Sequence, residues 1–262
     1  MRLLPVFALV MAAWGSSAFG AEGPARDRFD VVIVDAGHGG EDRGARGATG
    51  LLEKKLVLDV SKRLASRLQN RGLEVVLTRN QDEFVPLEMR TSMANDRRGD
   101  LFISIHANAS PSTHAHGVET YFVSLDSSDD LSDQLARREN AVFGDVARVS
   151  LKLDPVAAIL GDMSVNEHVR ESSGFAKLAQ GELAKLQPGA SRGVKQAPFV
   201  VLMGVRMPAT LVEIGFLSNA QDERALRTEE RRDAIADALT RAVIEFGTGY
   251  DKRRGVASAE AR

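Results

Sequence analysis

The chain has 262 residues, a formal net charge of −2 and no cysteine. Near-neutral charge argues against a nucleic-acid partner, and disulfides cannot staple the fold, so any metal must be held by His, Asp or Glu. The length is enough for one α/β domain with a full core.

Arg2 precedes an apolar run from Leu3 to Trp14, followed by small residues that include Ala18 and Gly20. The run is short for a bilayer span and has the form of a signal-peptide core. Residues 1–20 are therefore read as a signal peptide cut after Gly20, without a twin-arginine pair, which predicts ordinary export to the periplasm. The cut leaves a charge of about −3. Residues 21–29 read as a polar leader.

Four apolar residues, Val31 to Val34, read as a strand buried on both faces. A glycine-rich loop, Gly37 to Gly50, follows. A helix opens near Leu52, with Leu56, Val57, Val60, Leu64 and Leu68 at helical spacing and Gly72 as its stop. Leu73 to Leu77 reads as a strand, Pro86 starts a second helix that Gly99 closes, and Leu101 to Ile105 is a third strand. Gly117 to Ser124 is a fourth. This alternation predicts a largely parallel sheet with helices on both faces. The pattern then breaks. Between Ser124 and Arg192 the chain opens acidic and serine-rich and then carries helical stretches near Gln134 to Val149 and Ser172 to Leu186; residues 125–171 of it read as a regulatory insertion. Phe199 to Leu202 and Ala209 to Ile214 read as strands. A last helix spans Gln221 to Phe246, and a polar tail from Thr248 is expected to fray.

Ligands of open α/β sheets bind beyond the carboxyl ends of the strands. His38 stands in the loop after the first strand and His106 directly after the third, so parallel strands bring both to one sheet edge. Glu53 continues the apolar stripe of the first helix, three and four residues before Leu56 and Val57, and a core-facing acid needs a partner. Two histidines and a glutamate with an open fourth position form a catalytic zinc set; cobalt and iron suit the same ligand types. Glu213 lies inside the apolar run Ala209 to Phe216. In a metal hydrolase such an acid is the general base; the alternative is a buried partner for Arg79 or Arg90. Asp35 and Asn108 flank the ligands in sequence and are candidates for orienting them. His114 and His116 sit in a Pro-Ser-rich loop and read as solvated or substrate-contacting.

Several stretches carry a family resemblance. They are Val34-Asp-Ala-Gly-His-Gly-Gly40, Glu53 after the glycine loop, Ser104-Ile-His-Ala-Asn108 and Leu211-Val-Glu-Ile-Gly-Phe-Leu-Ser-Asn219. The helix Leu87-x-x-Arg90-x-x-x-Ala-Asn95 and Arg192-Gly-Val-Lys-Gln-Ala197 add to them. Together they resemble the zinc-dependent N-acetylmuramoyl-L-alanine amidases of the AmiC type, over about Asp30 to Phe246. The resemblance implies a six-stranded α/β catalytic domain over residues 30–247. It also implies one Zn2+ held by His38, Glu53 and His106, with Glu213 catalytic. The implied substrate is peptidoglycan, cut between the lactyl carbonyl of N-acetylmuramic acid and L-alanine of the stem peptide, in wall remodelling and daughter-cell separation. Two other functions compete: a wall-binding module with structural zinc, which would have no need of Glu213, and a zinc peptidase acting on the stem peptide. No separate wall-targeting domain is expected ahead of residue 30, and a monomer is expected.

The AmiC-type relatives carry an inhibitory helix in the corresponding insertion. A carboxylate from such a helix can take the open metal position. Glu139 is the candidate, with Glu167 and Glu171 behind it, and an activator protein is then expected to draw the helix away.

Overall fold

The computed structural model describes residues 28–141 and 163–256. The described chain runs β1 (Val31–Ala36), α1 (Glu53–Gln69), β2 (Glu74–Leu77), α2 (Leu87–Asp96), β3 (Leu101–Asn108) and β4 (Val118–Val123). It continues through α3 (Asp130–Asn140), α4 (Met163–Ala184), β5 (Ser191–Ala197), α5 (Val200–Met203), β6 (Ala209–Phe216), α6 (Ala220–Leu226) and α7 (Glu229–Arg253).

The six strands form one sheet in the order β2-β1-β3-β6-β4-β5. β2, β1, β3 and β6 are parallel; β4 is antiparallel to β6 and parallel to β5. Alternate side chains leave opposite faces of a strand, and the buried apolar residues divide accordingly. Val32, Val34, Ile103, Ile105, Val212 and Ile214 pack against α1, α4 and α7. Val31, Ile33, Phe102, Tyr121 and Leu211 face Ala94 of α2, Leu135 and Ala136 of α3, and Leu202 of α5. His106 and Glu213 share the parity of Phe102 and Leu211, so the site lies on the α3 side.

Several expectations from sequence are corrected. Phe199 to Leu202 is not a strand: Phe199 is the N-cap of α5 and packs edge-on against Tyr121, ring centroids 5.1 Å apart. A short apolar run does not distinguish strand from helix by periodicity alone. The sixth strand is β5, a half-buried edge strand whose polar sequence Ser-Arg-Gly-Val-Lys-Gln-Ala gave no apolar signal. The last helix is two, separated at Thr228, whose side chain caps Arg231 N. α7 also continues through Thr248 to Arg253, because Tyr250 is buried edge-on against Phe29. Phe29 therefore belongs to the core and not to a leader; its N–H donates to Asp251 Oδ1 at 2.7 Å. α3 starts at Asp130, ahead of the expected Gln134, because Asp129 caps it by accepting from Ser132 N at 2.7 Å. α4 likewise starts well before Ser172. The expected signal peptide, part of the expected insertion and the end of the tail lie outside the described residues. Among the described residues no helix is long and apolar enough to cross a membrane.

Candidate metal centre

β1 ends in a loop that must fold back tightly. His38 takes a left-handed conformation (φ 58°), uncommon for a residue with a side chain. Two glycines are sterically required beside it. A Cβ on Gly37 would lie 2.5 Å from the His106 ring, and one on Gly44 (φ +61°) would lie 2.5 Å from His38 and 2.6 Å from Glu53. Two buried arginines hold the loop by its carbonyls. Arg79 donates to Ala36 O, Gly37 O, Lys54 O and Gln81 O at 2.7–3.1 Å. Arg90 donates to Ala36 O and His38 O at 2.7 and 2.8 Å.

The rings of His38 and His106 stand edge to face, centroids 4.8 Å apart. Glu53, the first residue of α1, points between them. Its Oε1 lies 3.0 Å from His38 Nε2 and 3.1 Å from His106 Nδ1. Backbone donors fix this carboxylate: Ala45 N–H at Oε2 (2.7 Å) and Ala107 N–H at Oε1 (2.9 Å). On the far side of His38, Nδ1 meets Asp42 Oδ2 at 2.8 Å. The sequence reading missed Asp42, although its place four residues after His38 in a tight loop was a usable signal. Glu213 lies directly opposite His106 in the β3–β6 register and is fully buried.

Glu139 of α3 completes the cluster. Its Oε2 is 3.3 Å from His38 Nε2 and 3.2 Å from His106 Nδ1, so one carboxylate of the insertion sits against both rings. The cavity left beside His38 and Glu139, about 20 Å³, admits no more than a water molecule. The other two acids considered lie elsewhere: Glu171 is bound by Arg253 at 3.0 Å and Glu167 is exposed.

Burial disfavours an imidazolium at His38, but Glu53, Asp42 and Glu139 outweigh it and push its pKa up to about 11. At His106 burial is likewise outweighed, by Glu139 and Glu53, giving about 10. Burial would raise Glu53 and Glu139, yet the two histidines hold both below the usual carboxylate range. Glu213 differs: burial, with Glu53 and Glu139 nearby, raises it well above that range despite the attraction of His106.

Asp35 does not touch the cluster. It accepts from Thr78, Ser104 and Arg90 at 2.6–2.7 Å, and reaches the site only through Arg90 and the His38 carbonyl. Asn108 accepts from Arg138 Nη2 at 3.0 Å and makes no hydrogen bond to either ring. Arg79 and Arg90 are thus engaged elsewhere and neither pairs with Glu213. His114 and His116 are exposed.

The donors fit a cation. Ligating atoms of His38, Glu53 and His106 all lie within 4.8 Å of one another. His38 Nε2 is buried and, although 3.0 Å from Glu53 Oε1, has no aligned hydrogen bond; both oxygens of Glu213 are buried without a partner. Buried polar atoms left without hydrogen bonds are costly, and a divalent ion would satisfy the orphaned nitrogen. Two imidazoles and a carboxylate suit a borderline ion such as zinc.

The family model for N-acetylmuramoyl-L-alanine amidase, Amidase_3, matches residues 32–245. The chain belongs to this amidase family. It is 34% identical to AmiC of Escherichia coli over 225 residues, 84% of this chain and 54% of the relative. To AmiA of Escherichia coli it is 33% identical over 226 residues, covering 86% of this chain and 78% of that one. The chain thus spans about half the length of its AmiC relatives. Among solved structures, the catalytic domain of the amidase CwlV from Bacillus (Paenibacillus) polymyxa superposes with a TM-score of 0.63 at 29% identity, over 83% of this chain and 97% of that one. The amidase of Clostridium difficile 630 gives 0.64 at 25% identity, over 83% and 96%. The amidase fold inferred from sequence, an α/β sheet of six mostly parallel strands, is the fold observed.

Proposed function

We propose that this protein is a zinc-dependent N-acetylmuramoyl-L-alanine amidase of the periplasm. It hydrolyses the bond between the lactyl carbonyl of N-acetylmuramic acid and L-alanine in peptidoglycan, for wall remodelling and daughter-cell separation. The observation that carries this reading is the pairing of a His38–Glu53–His106 cluster with a fully buried, unpartnered Glu213 opposite His106.

In this reading His38 Nε2, His106 Nδ1 and Glu53 hold the ion. When bound, the metal supplies Lewis acidity toward the scissile carbonyl and toward the attacking water. Asp42 keeps the His38 ring turned so that Nε2 faces the cluster. Glu53 is fixed before any ligand arrives, because two backbone N–H groups hold its oxygens. Glu213 takes the proton of the attacking water on a carboxylate oxygen and returns it to the leaving amine nitrogen. Its apolar surroundings set its basicity above that of a solvated glutamate.

α3 restrains the enzyme in the same reading. Glu139 stands where an attacking water and a scissile carbonyl would have to be, and an activator protein would shift the population to an open state. The test is mass spectrometry of digested peptidoglycan together with metal analysis. Stem peptides released with an intact N-terminal alanine, and about one zinc per chain lost in His38→Ala/His106→Ala, are expected. Shortened peptides would instead mark a peptidase.

A further inference from the structure

Four ionisable side chains fall in a row across four neighbouring strands. His106 on β3 stands opposite Glu213 on β6, and Glu213 stands opposite Glu119 on β4. Beyond Glu119 the β4–β5 register is interrupted, between the pairs Val118↔Ser191 and Thr120↔Val194, and Arg192 lies in that interruption. The buried Glu119 carboxylate bonds Arg192 Nε and Lys195 Nζ (3.2 Å) through Oε1 and accepts from Tyr121 OH (2.6 Å) through Oε2. The floor of the sheet here holds two cations against one carboxylate.

α3 supplies the balancing charge. Asp129, its N-cap, places Oδ2 3.1 Å from Lys195 Nζ. Ten residues later Glu139 meets the histidines, which is roughly 15 Å away at helical rise. The same distance follows independently from the sheet, since three interstrand steps separate β3 from β5, about 14 Å. α3 therefore lays one carboxylate against the two histidines and a second on Lys195, one of the two cations at the far end of the same row. Between them it leaves a cavity of about 240 Å³ that Asn108, Glu119, Tyr121, Arg138, Arg192 and Phe216 help to line. Arg192 is itself stacked over Phe216, 5.1 Å from the ring centroid.

We infer that Lys195 and Arg192 form a carboxylate-binding subsite for an acidic peptide substrate, and that Asp129 occupies it while α3 is docked. This deepens the amidase reading and rests on it. When α3 leaves, the floor keeps one positive charge in excess in a half-buried setting, where a charge-assisted hydrogen bond to a carboxylate is strong. An extended peptide covers about 14 Å in roughly four residues. The subsite thus reads a carboxylate about four residues from the scissile amide, either the end of a short stem or an acidic side chain near it. Arg138 belongs to the departing helix and contributes nothing once it opens; Glu119 stays to fix the two cations.

The experiment compares two synthetic muramoyl tetrapeptides, one with free carboxylates and one with its carboxylates amidated, as substrates of the full zinc-loaded chain. The free-carboxylate substrate should have the lower KM. Lys195→Met also releases Asp129 and so loosens α3 for both substrates alike; beyond that shared change it should raise the KM of the free-carboxylate substrate relative to the amidated one roughly tenfold, and Lys195→Arg should restore the ratio. Asp129→Asn should lower the KM of the free-carboxylate substrate relative to the amidated one by removing the internal competitor, over and above any loosening of α3 that both substrates share. If Lys195→Met shifts both substrates equally, or neither, the subsite is overturned while the amidase reading stands. If the parent chain hydrolyses neither compound at the lactyl–alanine bond, and Glu139→Ala does not either, the amidase reading itself fails.

Discussion

If α3 is a lid, its hold on the sheet can be weakened without touching the metal cluster. Asn140, its last residue, is the place to do so. Its side chain imitates a strand: Nδ2 donates to Pro198 O at 2.8 Å and Oδ1 accepts from Val200 N at 2.9 Å. The residue is 8% exposed, so both bonds are shielded from water. Each contributes about 1 kcal/mol net. Asn140→Ala removes both, shifting the docked-to-open equilibrium by about 2 kcal/mol, or ~30-fold. Catalysis uses neither Asn140 nor Pro198, so basal activity should rise by up to that factor and level off once the open state dominates. Glu139→Ala should raise it too, by clearing the histidines directly. The assay is release of dye-labelled fragments from isolated peptidoglycan by the purified chain, with no second protein added. Equal activity of parent, Asn140→Ala and Glu139→Ala would refute the lid, leaving Glu139 as a carboxylate that closes the metal-free site only.

Glu213→Gln should retain metal and fold but lose ~10²–10⁴ in turnover; near-normal hydrolysis would make Glu213 structural. The same variant, stripped of metal, should gain stability over the parent where Glu213 would have to ionise, since Gln carries no charge into that buried position. Because the folded pKa of Glu213 is raised, its contribution is fully present below its unfolded value and lost as pH rises through the folded one, so the advantage of Gln should grow with pH in thermal melts. Metal loading should release about two protons at pH 7, because His38 and His106 titrate near 11 and 10 in the metal-free chain. Calorimetry in buffers of different ionisation enthalpy measures this, and release of less than one proton would contradict it. Asp35→Asn breaks a buried ion pair with Arg90 (2.7 Å) and should cost about 3–5 kcal/mol in urea unfolding. Asp35 is buried, yet Arg90 and two hydroxyls hold its pKa low, so the parent's advantage should be present above pH 4 and disappear as pH falls through the folded value.

The apolar strands were legible because burial on both faces leaves continuous runs, as in Val31 to Val34 and Leu101 to Ile105. His38, Glu53 and His106 were legible because each departs from its surroundings: a histidine among glycines, an acid on an apolar stripe, a histidine closing an apolar run. β5 was not, since an edge strand carrying Arg192, Lys195 and Gln196 answers to its neighbours and not to a core. The resemblance did single out Arg192 to Ala197, without indicating that the segment pairs with β4. Long-range polar contacts were the least visible. The hydrogen bonds of Arg79 to Gly37 and Lys54 join residues 42 and 25 positions apart, and such pairings leave no local pattern. The continuation of α7 past Thr248 was hidden for the same reason, because Tyr250 is held by Phe29 at the other end of the domain.

The docked helix acts on the proposed base as well as on access to it. Glu139 raises the pKa of Glu213, and Arg138 on the same helix lowers it. Withdrawing α3 removes both residues from the surroundings of Glu213. Exposure of the row from His106 to Arg192 also relieves part of the burial that contributes most to the upward shift. A bound cation at the histidines would act in the same direction. Under the proposed regulation, one movement therefore clears the histidines of Glu139 and favours the ionised form that Glu213 needs to accept a proton. Steric occlusion and suppression of the base share one helix, so leakage would require undoing both together. That coupling gives a physical reason for placing the inhibitory carboxylate within the electrostatic reach of Glu213 and not at the outer rim of the groove.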